Sequence, residues 1–359
     1  MPQAPGTPSN IALLEKRLSC IWASIGKARQ SARIRGDELE RLFLPRKSPD
    51  TSLVVFGSVA RGEVTSRSDL DWILLIDGQS APEHKEQERK IESIVADNGF
   101  NEPGRSGVFG KMVGSHDLVH NIGGEDDLNS NTTRRVLLLL ESIPIGNREA
   151  YDRVRRQIVR RYLEDDRGLT HASGDTRIPR FLLNDLTRYW RTVTVDFVYK
   201  QRAENDSKWA LRNAKLRMSR KLIFAAGLAL VFFCHLDAAA EDARNALKDA
   251  RDCSLLTAYI EQQFDLTPLE VIAKACLDLD VSSETIKAIF DNYDRFVAIL
   301  DDPTKRENLE KARTHEHLRN SAAWDEVRDV SKPFHDGLVA LFLKENDRLK
   351  DLTMTYGLF

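Results

Sequence analysis

Cysteine is scarce in this chain. The four present, Cys20, Cys234, Cys253 and Cys276, lie far apart and form no CxxC pair. Cysteine therefore suggests neither a zinc site nor a disulfide framework, and reads as buried free thiols in a reducing cytoplasm. An excess of one charge is also missing. The net charge of −2 supplies no global field to gather nucleic acid or an anionic membrane, although a local basic patch remains compatible with it. Long apolar runs are absent too: the longest, Leu222 to Cys234, is too short to span a bilayer and reads as a buried core helix behind a basic one. There is no internal repeat.

What is present is a soluble globular composition, 42% hydrophobic and 30% charged, over 359 residues. That is enough for one large domain or two ordinary ones. Met1 to Asn10 is rich in Pro, Gly, Ser and Thr, lacks the basic start and apolar core of a signal peptide, and is expected to be a disordered tail.

The spacing predicts a helix from Ile11 to about Ala32 and a short second one over Asp37 to Leu44. Leu53 to Phe56 and Asp71 to Ile76 read as apolar strands, Pro82 to Asn98 as a charged helix ending at Gly99, and Gly107 to Ile122 as further strands. Beyond Asn131 helices dominate, at about 132–143, 147–165, 179–201, 207–235 and 237–250, then on to the end. Thr267-Pro268-Leu269-Glu270 has the pattern of a helix start, while Asp302-Pro303 and Lys332-Pro333 read as breaks. The expected class is α+β. A small mixed-sheet domain covers 11–168 and a helical domain covers 178–359, with the change placed near Gly168 to Ile178.

The chemistry concentrates between the first two strands, in "GSVARGEVTSRSDLDW", Gly57 to Trp72. Side chains two apart on a strand share a face, so Asp69 and Asp71 point the same way, about 6–7 Å apart by strand rise. Two such carboxylates repel unless a cation lies between them, and oxygen donors suit Mg²⁺ or Mn²⁺. Gly57 permits close backbone approach, and Ser58 opens a short helix-like segment where free N–H groups collect, which suits phosphate.

These residues resemble the signature of the DNA polymerase beta-like nucleotidyltransferase superfamily: Gly-Ser, a later Gly, then Asp-x-Asp about eleven residues after the Ser. The resemblance implies that Gly57 and Ser58, with Arg61 beside them, hold the phosphates of an NTP. It implies that Asp69 and Asp71 bind divalent metal and that a third carboxylate on a neighbouring strand completes the site. Arg61 and Glu63 match the "ARGE" form common in bacterial members. The pattern is also similar to a branch related to PII-uridylyltransferase, on "NTTRRVLLLLESIPIGN" (Asn131 to Asn147). The metal-dependent phosphohydrolase motif and the ligand-sensing domains of that regulator are not seen, so uridylylation of PII is not implied.

For the third carboxylate the first choice is Asp117, as metal ligand and general base. Glu125, Asp126 and Asp127 compete with it, against the alternative of a solvated acidic turn. His116 and His120, on a strand, face away from Asp117 and read as packing or edge residues. In the helical part, "SKWALRNAKLRMSRK" (Ser207 to Lys221) carries six basic residues and no acid. Lys208, Arg212 and Lys215 share a face. Similar enzymes draw triphosphate ligands from a helical domain, which makes Lys215 and Lys221 the candidates; a solvated basic face is the alternative. Tyr189 or Trp190 could stack on a base, or pack in the core.

The expected function is metal-dependent transfer of a nucleoside monophosphate from an NTP to an acceptor hydroxyl, with release of pyrophosphate and no membrane partner. The acceptor could be a protein, a small molecule, an RNA end or a nucleotide. The alternative is a catalytically inactive nucleotide-binding regulator or toxin–antitoxin-like partner.

Overall fold

A computed structural model describes residues 8–43, 48–101, 107–171, 176–203, 208–312 and 321–357. The chain is α+β: a small mixed sheet near the N-terminus, then helices. Most of the tail expected over 1–10 lies outside the described residues; Ser9 caps α1 by accepting from Ala12 N–H at 3.2 Å.

The first expected helix is split, into α1 (Asn10–Leu18) and α2 (Ala23–Phe43), and the short helix expected over Asp37 to Leu44 is not separate but the last turns of α2. The break falls at Ser19, whose φ of 51° is left-handed. The sheet strands are β1 (Thr51–Phe56), β2 (Asp71–Ile76), β3 (Lys111–Gly114) and β4 (Ser142–Ile145), in the order β3-β2-β1-β4. β1 runs antiparallel to β2 and β4, and β3 parallel to β2. A parallel pair needs a crossover, which α4 (Pro82–Asp97) provides. A four-residue helix, α3 (Ser58–Arg61), follows β1.

The two central strands read as unbroken apolar runs because both faces are covered. Val54, Phe56, Ile73 and Leu75 join the large core shared with the helices. Leu53, Val55, Trp72 and Leu74 join a smaller core with Leu39 of α2 and Ile91 and Val95 of α4. The alternation is the period of two expected of strands.

Three expectations fail here. Strand structure in Gly107–Ile122 is confined to β3; the chain then turns into α5 (Ser115–Val119), so Asp117, His116 and His120 sit on or beside a helix. The rings of His116 and His120 stack i to i+4 with centroids 5.0 Å apart. β4 was hidden, because the leucine run of α6 (Asn129–Leu140) leads straight into "SIPI" and reads as one helix. Lys332-Pro333 is no break: Pro333 lies inside a continuous helix, Ala322–Leu343.

The helices that follow are α7 (Glu149–Glu164), α8 (Arg167–Thr170), α9 (Arg180–Ala203), α10 (Trp209–Lys215), α11 (Lys221–Leu236), α12 (Glu241–Ala250), α13 (Ser254–Gln263), α14 (Pro268–Asp278), α15 (Ser283–Asp301), α16 (Pro303–Lys311), α17 (Ala322–Leu343) and α18 (Asp347–Leu352). Thr267 caps α14, as its Pro-containing start foretells, and the break expected at Asp302-Pro303 is there: α15 ends at Asp301 and Asp302 caps α16. α10 and α11 join through a π-helical turn, Leu216–Arg220. The whole run Trp209–Leu236 is long and apolar enough to cross a membrane by length and composition, but 72% of its most apolar window is buried inside the fold. It is packed as a core helix, against α9 and α14.

Asp127 is not part of a solvated turn. It is buried with Arg135 of α6, which it meets at 3.0 Å, and with Arg188 of α9 at 2.6 Å. Asp185 pairs with the same Arg135 at 2.5 Å and accepts from the Tyr162 hydroxyl at 2.6 Å. This buried network ties α6, α7 and α9 together. Glu125 and Asp126 are exposed.

Candidate functional site

The β1–β2 register places Phe56 opposite Asp71, and the β1–β4 register places Phe56 opposite Ser142. One edge of the sheet therefore gathers the end of β1, the start of β2 and the residue just before β4. Gly57 turns the chain there with φ 74° and ψ −144°, a region that side-chain-bearing residues avoid. It lies so close to the second acid that a Cβ would stand 3.0 Å from Asp71 Oδ2. α3 then closes on Gly57 and Ser58: Arg61 N–H donates to the Gly57 carbonyl at 3.0 Å and Glu63 N–H to the Ser58 carbonyl at 2.8 Å.

A cleft opens between this edge and the helices. Gly57, Ser58, Arg61, Asp69 and Asp71 line it from the sheet side, and Lys215, Ser219, Arg220 and Arg306 from the helical side. Phe296, Val297 and Leu300 of α15 form an apolar wall. Arg306 fixes the loop before Asp69, donating to Thr65 Oγ1 at 3.1 Å and to the Arg67 carbonyl at 2.7 Å. Asp69 itself is exposed, and it bridges to Asn101 beyond the strand.

The electrostatics are strong. Burial pushes the Asp71 carboxyl above its ordinary range, and Glu141 and Asp69 add to this while Arg220 and Lys215 oppose it. Burial likewise pushes the Lys215 ammonium down to about 8, assisted by Arg306 and Arg220 and opposed by Asp69 and Asp71.

Of the residues singled out in the sequence, Gly57, Ser58, Arg61, Asp69, Asp71 and Lys215 meet in this cleft. Asp117 and Lys221 do not. Asp117 is exposed on α5, which follows the far end of β3, and its carboxylate accepts from Asn121 Nδ2 at 3.3 Å. Lys221 lies one residue past the π-turn, half-buried beside Arg217 and Asp336. Tyr189 is 1% exposed, and Trp190 stacks on Phe224 at 5.4 Å, so both pack in the fold.

Besides Ser219 and Arg306, two residues that shape the charge of the cleft escaped the sequence reading, Glu141 behind its lining and Arg220 within it. Glu141, 2% exposed, sits just before β4, across from Gly57 by continuation of the register. Its Oε2 stands 2.7 Å from Arg61 Nη1, a charge contact without hydrogen-bond angles. Its Oε1 is 3.5 Å from Arg220 Nη1. Arg61 also pairs with Glu63 at 2.7 Å, and Glu63 accepts from the Tyr293 hydroxyl of α15 at 2.8 Å. Burial works against charge on Arg61, but Glu141 and Glu63 override it and hold the guanidinium ionised.

Arg220 is the other. Residues five apart on an α-helix are about 140° apart at 100° per residue, so Lys215 and Arg220 would diverge. The π-turn between them closes on i→i+5 bonds and returns both to the cleft. An acid at a strand start after an apolar run was the one available sequence signal for Glu141; nothing in the sequence announced the π-turn.

Residues 39–99 match the family model of the nucleotidyltransferase domain. The match runs from the end of α2 through α4, roughly a sixth of the chain. It includes the Gly57-Ser58 turn and both aspartates, and is consistent with the polymerase beta-like superfamily. It does not reach Glu141, Lys215 or Arg220, and it does not point to the PII-uridylyltransferase branch. No curated protein and no solved structure matches the chain. The match supports nucleotidyl transfer in general.

Among the described residues, no group of three or more His, Cys, Asp or Glu side chains is placed to hold a metal ion. The donor set nevertheless fits a hard cation shared with a ligand: Asp69 and Asp71 are oxygen donors on one cleft face, and the Asp71 carboxyl, raised by burial, is one that a bound cation would return to its charged form.

Proposed function

We propose that this protein transfers a nucleoside monophosphate from an NTP to an acceptor hydroxyl and releases pyrophosphate. The observation that carries the reading is the convergence of Gly57, Ser58, Asp69 and Asp71 with Lys215 and Arg220 in one cleft. Gly57 lets the backbone approach the phosphates, and Ser58 offers its hydroxyl at the start of α3. Lys215 and Arg220 offset the triphosphate charge from the opposite wall. Asp69 and Asp71 would hold Mg²⁺ or Mn²⁺, which neutralises charge developing on the transferred phosphoryl group. Glu141 takes the place of Asp117 as the third carboxylate, because the pairing of β4 sets it beside β1 at the sheet edge where β2 begins with Asp71. It accepts the proton of the incoming hydroxyl once it is free to do so. The sheet-bearing domain, 11–168, supplies the acids and the phosphate turn; the helical domain, 178–359, supplies the cations.

The test is pyrophosphate release from each NTP with Mg²⁺ or Mn²⁺ and cell lysate as acceptor source. Metal-dependent release that Asp69→Asn and Asp71→Asn abolish supports transfer. Nucleotide binding without release assigns the protein to the alternative, an inactive nucleotide-binding regulator.

A further inference from the structure

Glu141 stands between two guanidinium groups. Each of its carboxylate oxygens is turned to one of them, Oε2 to Arg61 and Oε1 to Arg220, so neither oxygen is open to a group in the cleft. The two cations are not held alike. Arg61 is buried and has a second carboxylate, Glu63, which Tyr293 fixes in turn. Arg220 keeps 28% of its side chain exposed and meets Glu141 only at 3.5 Å, the outer limit of a hydrogen bond. It lines the cleft with Lys215 and closes the π-turn, a kind of helix irregularity frequent at functional sites.

We propose that Arg220 is a triphosphate-operated latch on Glu141. Without nucleotide, Arg220 rests on Glu141. A triphosphate offers more negative charge than one carboxylate and accepts the planar guanidinium fork in two-point contact. It draws Arg220 away and leaves Glu141 paired with Arg61 alone. The latch rests on the nucleotidyl-transfer reading above. In it Arg220 both binds the triphosphate and, by leaving Glu141, governs that carboxylate. It keeps the third carboxylate out of use until a triphosphate occupies the cleft.

The latch has a thermodynamic signature: nucleotide must break the Arg220–Glu141 pair, so that pair subtracts from affinity. The test is the dissociation constant of fluorescent ATP in EDTA, where no metal links Glu141 to the nucleotide. It is measured for wild type, Glu141→Gln, Arg220→Gln and the double variant. Glu141→Gln is expected to bind about three- to tenfold more tightly than wild type, the range of a coupled neighbouring pair. Arg220→Gln is expected to bind roughly tenfold more weakly, and adding Glu141→Gln to it should change nothing further. Equal or weaker binding by Glu141→Gln, or the same tightening in both backgrounds, overturns the latch.

Should buried Glu141→Gln not fold, the Glu141 carboxyl ¹³C resonance answers the same question in wild type and Arg220→Gln. Tripolyphosphate should move it in wild type toward the position it already has in Arg220→Gln; an unmoved resonance overturns the latch. Failure of wild type to bind nucleotide or tripolyphosphate at all overturns the transfer reading together with the latch. Binding without coupling between Glu141 and Arg220 overturns the latch alone.

Discussion

Gly57→Ala tests how closely the Gly57 turn and the Asp71 carboxylate are built together. Gly57 has φ 74° and ψ −144°, and holding an alanine there costs about 1–3 kcal/mol of backbone strain. The new methyl group would also sit 3.0 Å from Asp71 Oδ2, so the carboxylate must retreat by a few tenths of an ångström. A 1 Å misplacement in an active site costs about 10²-fold in rate, so this smaller shift should cost roughly tenfold in turnover. Gly99→Ala is the control. Gly99 also has a positive φ, 67°, but nothing lies within 4 Å of its Cβ position. Denaturant unfolding should show both variants destabilised. Only Gly57→Ala should also lose NTP turnover beyond its loss of folded protein. Turnover of Gly57→Ala equal to that of Gly99→Ala would show that the turn and Asp71 are not in contact.

Asp71 has a folded-state pKa raised by burial, so the stability it contributes is greatest in acid and is lost as pH rises through that raised value. Metal-free Asp71→Asn should therefore be more stable than wild type near neutral pH, with the difference vanishing in acid, as read by unfolding at several pH values; no such trend would discount the burial. Asp117→Asn should leave turnover near wild type, while Glu141→Gln should lower it about 10²-fold or more; the reverse order in single-turnover rates would restore Asp117. Lys215, pushed down to about 8, should lose its charge as pH rises through that value. NTP affinity should fall between pH 7 and 9 in wild type and stay flat in Lys215→Met; parallel profiles would remove Lys215 from the phosphates. Asp127→Ala leaves Arg135 and Arg188 short of a buried partner and should cost about 3–5 kcal/mol in denaturant unfolding. A loss under 1 kcal/mol would mean that water reaches the network.

The sequence by itself determined the part of the site that is local. Gly57, Ser58, Asp69 and Asp71 are close along the chain, and a strand, a turn and a second strand suffice to bring them to one edge. Their residue types and spacing carry the chemistry, and both central strands are legible as apolar runs because both faces are covered. Asp117 was misplaced because a polar residue within an apparent strand looks the same whether the strand continues or ends. Here it ends at Gly114, and the acid turns outward on a helix.

Only the tertiary structure decided the other half. Glu141 joins the site because β4 pairs with β1, and strand pairing is a long-range choice that no local pattern encodes. Arg220 joins Lys215 because a π-turn brings residues five apart to one side; on a regular α-helix neither Arg220 nor Lys221 would share the face of Lys215, lying about 140° and 240° around from it. Helical periodicity predicts which residues share a face only while every turn has the same number of residues. The π-turn lies where α10, packed on α16, hands over to α11, packed on α14 and α9, and it decides which cation lines the cleft with the aspartates.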